Sequence, residues 1–200
     1  MWPKQVIARI EGGLGNQLFQ YAAARSLADR LDCELALDLR GLDQNGDRPF
    51  QLDLYHVRAS VATPELLDSL PDWRSSRLGR FKANLSQLAP LVFSFPVFWP
   101  ASFAFDARFE KISRPAYLVG YWQTEKYFAW NRNRLMQDIQ LKVPLSDDVP
   151  LLDLIRNTTS VALHIRRGDY VHNAAAAQFH GVCSMDYYHA AIAALKARFP

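Results

Sequence analysis

Two adjacent arginines, Arg166 and Arg167, follow a short apolar run at residues 161–165. A run of this kind, with β-branched residues and polar flanks, is typical of a strand buried on both faces of a parallel sheet. Charged residues just beyond it lie at the carboxyl end of the strand, where open α/β sheets bind their ligands. The planar guanidinium matches phosphate oxygens and stays charged at any working pH. The sequence therefore predicts an anion-binding site.

Gly168 and Asp169 extend this cluster. Gly168 permits a close backbone approach or a turn with positive φ, whereas Asp169 can fix one arginine or accept a hydrogen bond from a sugar. A plainer interpretation stays open, in which one arginine pairs with Asp169 and the other lies at the surface. Both interpretations are compatible with these four residue types.

A glycine-rich turn near the amino terminus offers a second ligand site. Residues 5–10 and 34–38 are predicted strands, and residues 16–31 between them are a predicted helix. The free backbone N–H groups of a helix N-terminus can bind an anion. Asn16 and Gln17 add two side-chain amides at the start of that helix, and amides suit sugar hydroxyls.

The same turn has part of the fingerprint of a dinucleotide-binding site. Gly13 and Gly15 match its first two glycines, and Asp38 ends the second strand, where a ribose-binding acid would lie. Leu18 stands where the third glycine would let the helix pack closely on the strand. An NAD-linked oxidoreductase is therefore disfavoured but stays open, as does a turn that merely joins strand to helix.

Four blocks of the chain carry a family resemblance. The run His164-Ile165-Arg166-Arg167-Gly168-Asp169 resembles the His-x-Arg-Arg-x-Asp motif of the fucosyltransferases that form α-1,2 and α-1,6 linkages. Residues 12–22, 120–128 and 183–188 resemble blocks of the bacterial α-1,2-fucosyltransferases, glycosyltransferase family 11. The four blocks occur in the order found in that family and together reach along most of the chain.

The resemblance implies an α/β fold of the GT-B kind, with paired Rossmann-like domains and a nucleotide sugar bound between them. Residues 1–150 would form the N-terminal Rossmann-like domain with acceptor-side elements, and residues 151–200 would begin a GDP-fucose-binding domain. Members of the family continue well past this point. We therefore expect the second domain to be incomplete in this chain.

The implied reaction transfers L-fucose from GDP-fucose to the 2-hydroxyl of a terminal galactose, with inversion of the anomeric centre. The acceptor would be a galactose-terminated oligosaccharide or a lipid-linked glycan. No metal and no cofactor are expected beside the donor substrate, so the protein itself must meet the charge of the departing diphosphate.

The matched motifs also imply roles for individual residues. Arg166 would contact the β-phosphate and assist the departure of GDP, with Asp169 fixing this site. Asn16 would contact donor or acceptor near the transferred sugar, and these three are the predicted catalytic residues. The residues expected to bind the donor are His164, Arg166, Arg167, Gly13, Gly15 and Asn16.

Several other classes of function receive little support. The formal charge of +3 is spread along the chain without a basic run, so no nucleic-acid partner is expected. His172, His180, Cys183 and His189 contain no closely spaced pair of the kind that binds zinc. A non-catalytic module that binds a sugar or a nucleotide sugar remains the main alternative to an enzyme.

The stretch at residues 83–105 carries no charged residue and is long enough for a membrane span. Pro90, Pro96 and Pro100 would break such a helix repeatedly, so we expect residues 91–105 to form an irregular aromatic segment packed over a core. Peripheral contact with a membrane is the alternative. Because the start of the chain has no apolar signal region, the expected location is the cytoplasm or the inner face of the membrane.

Further elements follow from periodicity and capping residues. Tyr121 and Trp122 end one predicted strand, where they could stack on a sugar or belong to the core. The remaining predictions are a strand at residues 50–55, a helix at 64–70 capped by Thr63, a strand at 116–122, and helices at 123–138, 151–156 and 184–199, the last capped by Ser184.

Overall fold

The computed structural model describes residues 5–42, 48–69, 97–144, 150–165 and 183–199. The chain divides into two compact units, Met1–Leu145 and Ser146–Pro200. Each unit is described by itself below.

The described part of the first unit is built on one parallel sheet, which confirms the α/β class. Its strand order is β3-β2-β1-β5-β4, and every neighbouring pair runs parallel. The strands are β1 (Gln5–Arg9), β2 (Glu34–Asp38), β3 (Ser60–Val61), β4 (Val97–Phe98) and β5 (Tyr117–Leu118). The predicted strands at residues 5–10, 34–38 and 116–122 all take part in it.

The central strand β1 is buried on both faces. Val6 and Ala8 belong to one apolar cluster, whereas Ile7 belongs to another with Tyr117 on β5. Successive side chains of a strand point to opposite faces, so β1 can contribute to both clusters only if both faces are covered. This is the environment that a parallel sheet requires.

Helix α1 (Leu14–Arg30) packs on β1 and β2. Tyr21, Ala24 and Ala28 lie on the face toward the core and have no exposed surface, and Leu27 is likewise buried. The alanines allow close approach to the sheet, because a methyl side chain keeps the helix axis near the strands. After the helix, Asp32 adopts a φ of 49°, the left-handed conformation that often ends helices.

The capping prediction at Thr63 is confirmed. Thr63 accepts a hydrogen bond at Oγ1 from the backbone N–H of Leu66 at 3.3 Å, and Pro64 occupies the first position of helix α2 (Pro64–Asp68). A proline is tolerated there because its missing N–H would have no partner within the helix.

The helix predicted at residues 123–138 is only partly correct. Two 3₁₀ turns, Glu125–Tyr127 and Ala129–Asn131, precede helix α3 (Arg132–Asp138). Phe128 between them has a φ of −145°, an extended value that no helix accommodates. The regular helix is therefore confined to the end of the predicted range.

The strand predicted at residues 50–55 is wrong. Leu52–Leu54 form a 3₁₀ turn, and Tyr55 makes an isolated antiparallel bridge with Leu141. The physical reason is that Gln17 of α1 takes the carbonyl of Pro49 and the N–H of Gln51 with its side chain. These backbone groups are satisfied by an amide side chain and need no neighbouring strand.

Aromatic rings fill the core beside β4 and β5. Trp122 is buried and stacks on Phe98 at 5.8 Å between ring centroids, and its ring lies edge-on to Tyr127 at 5.0 Å. Trp122 is thus a core residue rather than a sugar platform. Residues 97–98 lie in a strand, so the irregular segment expected there is wrong at these two positions. Residues 99–105 have neither helix nor strand, as expected, and residues 83–96 lie outside the described part of the chain.

The second unit contains helices α4 (Pro150–Asn157) and α5 (Met185–Arg198) in its described residues. Both helix predictions are confirmed, as is the cap at Ser184, whose Oγ accepts from the backbone N–H of Tyr187 at 3.3 Å. Among the described residues of the chain, no helix has the length and apolar character to cross a membrane.

The strand predicted at residues 161–165 does not form in this structure. These residues have no regular secondary structure and are exposed, with Val161 at 60% and Leu163 at 52%. A strand exists through hydrogen bonds to a neighbour, and no described strand pairs with this run.

Candidate functional site

The turn between β1 and α1 is shaped by Gly12. Its φ is +80°, and a Cβ placed there would lie 2.7 Å from Nδ2 of Asn16. The backbone conformation therefore requires glycine, and a methyl group there would displace the Asn16 amide. By contrast, a Cβ on Gly13 or Gly15 would meet no atom within 4 Å. The turn brings the first turn of α1 to the carboxyl end of β1, where parallel sheets bind ligands.

Two buried glutamines brace this turn. Gln17 donates from Nε2 to the Gly12 carbonyl at 2.9 Å, and Gln20 accepts at Oε1 from the N–H of Glu11 at 3.0 Å. Gln20 also donates to the carbonyl of Gly120 at 3.2 Å, which ties the turn to the residues after β5. Both glutamines are almost fully buried.

The prediction that the amide of Gln17 would meet sugar hydroxyls is corrected by these contacts. Its Nε2 serves two carbonyls and its Oε1 accepts from Gln51. The side chain is fully buried and its hydrogen-bonding groups are engaged with backbone, so Gln17 is a positioning residue.

Asn16 differs from Gln17 because it lies at the partly exposed edge of the turn. Its Oδ1 accepts a hydrogen bond from Nε2 of Gln123 at 2.8 Å, across 107 residues of sequence. Gln123 is exposed and follows β5. The pair joins two of the four blocks that carry the family resemblance. Sequence reasoning missed Gln123 as a partner, although it lies within the block at residues 120–128.

The N-terminus of α1 is free of side-chain caps. Gly13 is its N-cap residue and makes no side-chain cap hydrogen bond, and the first turn contains no acidic residue. Its backbone N–H groups, with the positive end of the helix dipole, can bind a negatively charged or hydroxyl-bearing ligand. Gly13, Gly15 and Asn16, three of the predicted site residues, therefore lie together at one edge of the sheet.

Asp38, at the end of β2, is held by its own partners. Its Oδ1 accepts from Nε of Arg40 at 3.0 Å, and its Oδ2 accepts from the Tyr117 hydroxyl at 2.6 Å. The side chain is fully buried. Such a carboxylate does not present its oxygens to a ribose, so the geometry gives the NAD alternative no support.

The electrostatics of Asp38 agree with this structural role. Burial acts to raise the pKa of its carboxyl, but hydrogen bonds from Arg40 and Tyr117 outweigh burial and hold the pKa below the ordinary value of 3.8. Burial, together with the hydrogen bond to Asp38, raises the pKa of Tyr117 to about 12. The charged carboxylate and the neutral phenol stabilise each other.

The arginine motif is only partly described. Arg166, Arg167, Gly168 and Asp169 lie outside the residues that the structure describes, so their roles stay predictions. His164 is described, and it is exposed without regular secondary structure.

The sequence predicts no metal site. Of the four residues considered as ligands, His172 and His180 lie outside the described ranges. Within those ranges, no group of three or more His, Cys, Asp or Glu side chains is arranged to hold a metal ion.

The chain is similar to known glycosyltransferases. Residues 103–200 match the family described as Glycosyl transferase family 11. An α-1,2-colitosyltransferase of Escherichia coli is 33% identical over 202 residues, covering 97% of this chain and 65% of that protein. The O-antigen biosynthesis glycosyltransferase WbnK of Escherichia coli is 29% identical over 206 residues, covering 92% of this chain and 65% of that protein. The chain thus spans about two thirds of the length of these relatives.

A solved structure is also similar, the fucosyltransferase NodZ from Bradyrhizobium. It is 16% identical, and the match covers 71% of this chain and 52% of that chain with a TM-score of 0.34.

The constraint at Gly12 predicts a large difference between two alanine substitutions. We expect Gly12→Ala to lower the free energy of unfolding by about 1–3 kcal/mol, because its φ is strained for any other residue and the methyl group displaces Asn16. Gly13→Ala is the matched control, since its φ is −74° and its Cβ would meet nothing. Urea unfolding of both variants measures the difference, and equal stability would contradict this account of the turn.

The Asp38 cluster predicts a specific pH dependence. A carboxyl with a lowered pKa contributes stability that is present above its unfolded-state pKa and is lost as pH falls through the folded-state value. We expect Asp38→Asn to cost about 2 kcal/mol at neutral pH and to flatten the loss of stability below about pH 4. The exposed Asp53→Asn is the control. Identical profiles for the two variants, from urea unfolding at a series of pH values, would contradict the role of Asp38.

Proposed function

We propose that this chain is part of an inverting, metal-independent glycosyltransferase that moves L-fucose from GDP-fucose to the 2-hydroxyl of a terminal galactose. The observation that carries the proposal is the match of residues 103–200 to glycosyl transferase family 11. Similarity to an α-1,2-colitosyltransferase along 97% of the chain supports it. The complete enzyme would have the paired Rossmann-like domains of the GT-B fold.

The proposed reaction needs groups for two separate tasks. Positive charge must stabilise the diphosphate as it leaves, which is the task we assign to Arg166, with Arg167 orienting the nucleotide and Asp169 holding the arginines in place. His164 would contact the nucleotide. This assignment rests on the sequence motif.

The second task is to hold the transferred sugar and the acceptor hydroxyl in reach of each other. Asn16 suits it because its amide lies at the carboxyl edge of the sheet, fixed by the 2.8 Å hydrogen bond from Gln123. An amide held in one orientation loses little freedom on binding, so its hydrogen bond to a sugar contributes more to affinity. The uncapped N-terminus of α1, beginning at Gly13, supports the same placement.

A colitosyl donor is the second candidate, favoured by the name of the 33% identical relative. Colitose is fucose without its 3-hydroxyl, so the two candidates differ in a single polar group of the donor. A site that hydrogen-bonds a hydroxyl strongly rejects the analogue that lacks it. Comparing kcat/KM for the two donors would therefore identify the transferred sugar.

Transfer of radiolabelled fucose from GDP-fucose to lactose, catalysed by the full-length native protein, tests the proposed function. We expect labelled trisaccharide to form in the presence of EDTA, with the fucose released by an α-1,2-specific fucosidase. Binding of GDP-fucose without transfer to any galactose-terminated acceptor would instead support the non-catalytic module. Transfer only from the colitosyl donor would replace fucose in the proposal.

The role of Arg166 gives a quantitative prediction. We expect Arg166→Ala to lower kcat in the full-length enzyme by about 10²- to 10³-fold, as the loss of a preorganised charge-stabilising donor does. Arg198→Ala, which alters an exposed arginine of α5, is the control and should leave kcat unchanged. A loss below about tenfold in a folded Arg166→Ala protein would remove this residue from the proposed mechanism.

A further inference from the structure

A cleft of about 320 Å³ opens beside the carboxyl-terminal end of α1, far along the helix from Asn16. It is lined by Arg30, Phe109, Glu110, Lys126, Tyr127 and Trp130. All six residues belong to the first unit of the chain. Nothing in the proposed transfer reaction uses this cleft.

The walls of the cleft are held in place by contacts to α1. Arg30 donates from one guanidinium nitrogen to the carbonyls of Phe109 at 2.9 Å and Ile112 at 3.1 Å. Asn131, directly after Trp130, is buried and donates from Nδ2 to Oδ2 of Asp29 at 2.7 Å. The cleft is therefore formed before any ligand arrives, which reduces the entropy lost on binding.

The aromatic residues of the cleft differ in what they do for the fold. Phe109 and Tyr127 are each 2% exposed and belong to the core, whereas Trp130 is 61% exposed. An indole this exposed contributes little to the core, since most of its surface remains in water. Its apolar faces remain open to a ligand.

Besides Arg30, which donates to two backbone carbonyls, two charged groups flank the aromatic surface. Lys126 and Glu110 are both exposed. An ammonium donates hydrogen bonds and a carboxylate accepts them, so together they suit a neutral ligand rich in hydroxyls. The charges oppose a purely apolar ligand.

We propose that this cleft is a second saccharide-binding site, in which the Trp130 indole packs on the apolar face of a sugar ring while Lys126 and Glu110 bind its hydroxyls. Pockets of this kind combine an aromatic wall with a few placed polar groups. The volume is in the range of small-ligand sites, which begins near 300 Å³.

The position of the cleft determines which sugar it takes. Arg30 lies 14 residues after Asn16 in α1, a distance of about 21 Å at 1.5 Å per residue. One monosaccharide cannot occupy both places. The cleft therefore binds a sugar other than the reacting galactose, and we assign to it a distant unit of a long glycan acceptor, an assignment that rests on the proposed function.

Binding of a galactose-terminated tetrasaccharide, lacto-N-neotetraose, to the full-length protein tests this site. Titration followed by saturation-transfer NMR should show that Trp130→Ala weakens binding about tenfold, the effect of losing one aromatic contact. Trp130→Phe should retain most of the affinity because a ring remains. Met136→Ala, which truncates an exposed side chain of α3 outside the cleft, is the control and should bind as the wild type does.

The outcomes separate this site from the proposed function. Wild-type affinity in a folded Trp130→Ala protein, or no binding of the tetrasaccharide by the wild type, would overturn the site. In the transfer assay, Trp130→Ala should leave kcat on lactose unchanged, because lactose reaches only the transfer edge. If the wild type transfers no fucose yet Trp130→Ala weakens tetrasaccharide binding, the saccharide site stands and the transferase proposal fails.

Discussion

The buried amides of Gln17 and Gln20 are the interactions on which the candidate site depends. They satisfy backbone groups of the turn, of the loop after Pro49 and of Gly120, which come from three separate parts of the chain. Buried polar groups left without partners are costly, so this arrangement of the three segments is strongly favoured over alternatives. The positive φ of Gly12 is the backbone conformation that the arrangement requires. As a result, Asn16 projects at the edge of the sheet while its neighbours are engaged in structure.

Much of the fold around this turn could be predicted from local sequence. The β1, α1 and β2 elements lie within two residues of their predicted bounds, because apolar periodicity and burial agree there. Two of the failures depend on contacts with distant parts of the chain. Residues 50–55 alternate in polarity, which predicts a strand, but the Gln17 side chain hydrogen-bonds the backbone of Pro49 and Gln51. Residues 161–165 have an apolar pattern typical of a strand, but no described neighbour pairs with them.

The sequence predicts individual residues of the candidate site, but it does not predict which of them are in contact. Asn16 is predicted as a site residue because an amide follows a glycine turn at a helix start. Its partner Gln123 was not, since a contact spanning 107 residues leaves no local pattern. Asp38 is a different case. Its position suggests that it binds a ribose, but its carboxylate accepts hydrogen bonds from Arg40 and Tyr117 instead. The role of a polar side chain can therefore be assigned only when its hydrogen-bond partners are known, and residue type alone does not reveal them.

A double-mutant cycle between Asn16 and Gln123, measured as kcat/KM for fucosyl transfer by the full-length protein, tests the central claim most directly. If Gln123 acts by orienting Asn16 at the transfer edge, the two substitutions to alanine will be strongly non-additive. The double variant will then be no less active than Asn16→Ala alone. Losses that simply add would show that this hydrogen bond does not serve transfer. Wild-type activity in Asn16→Ala would show that the site lies elsewhere.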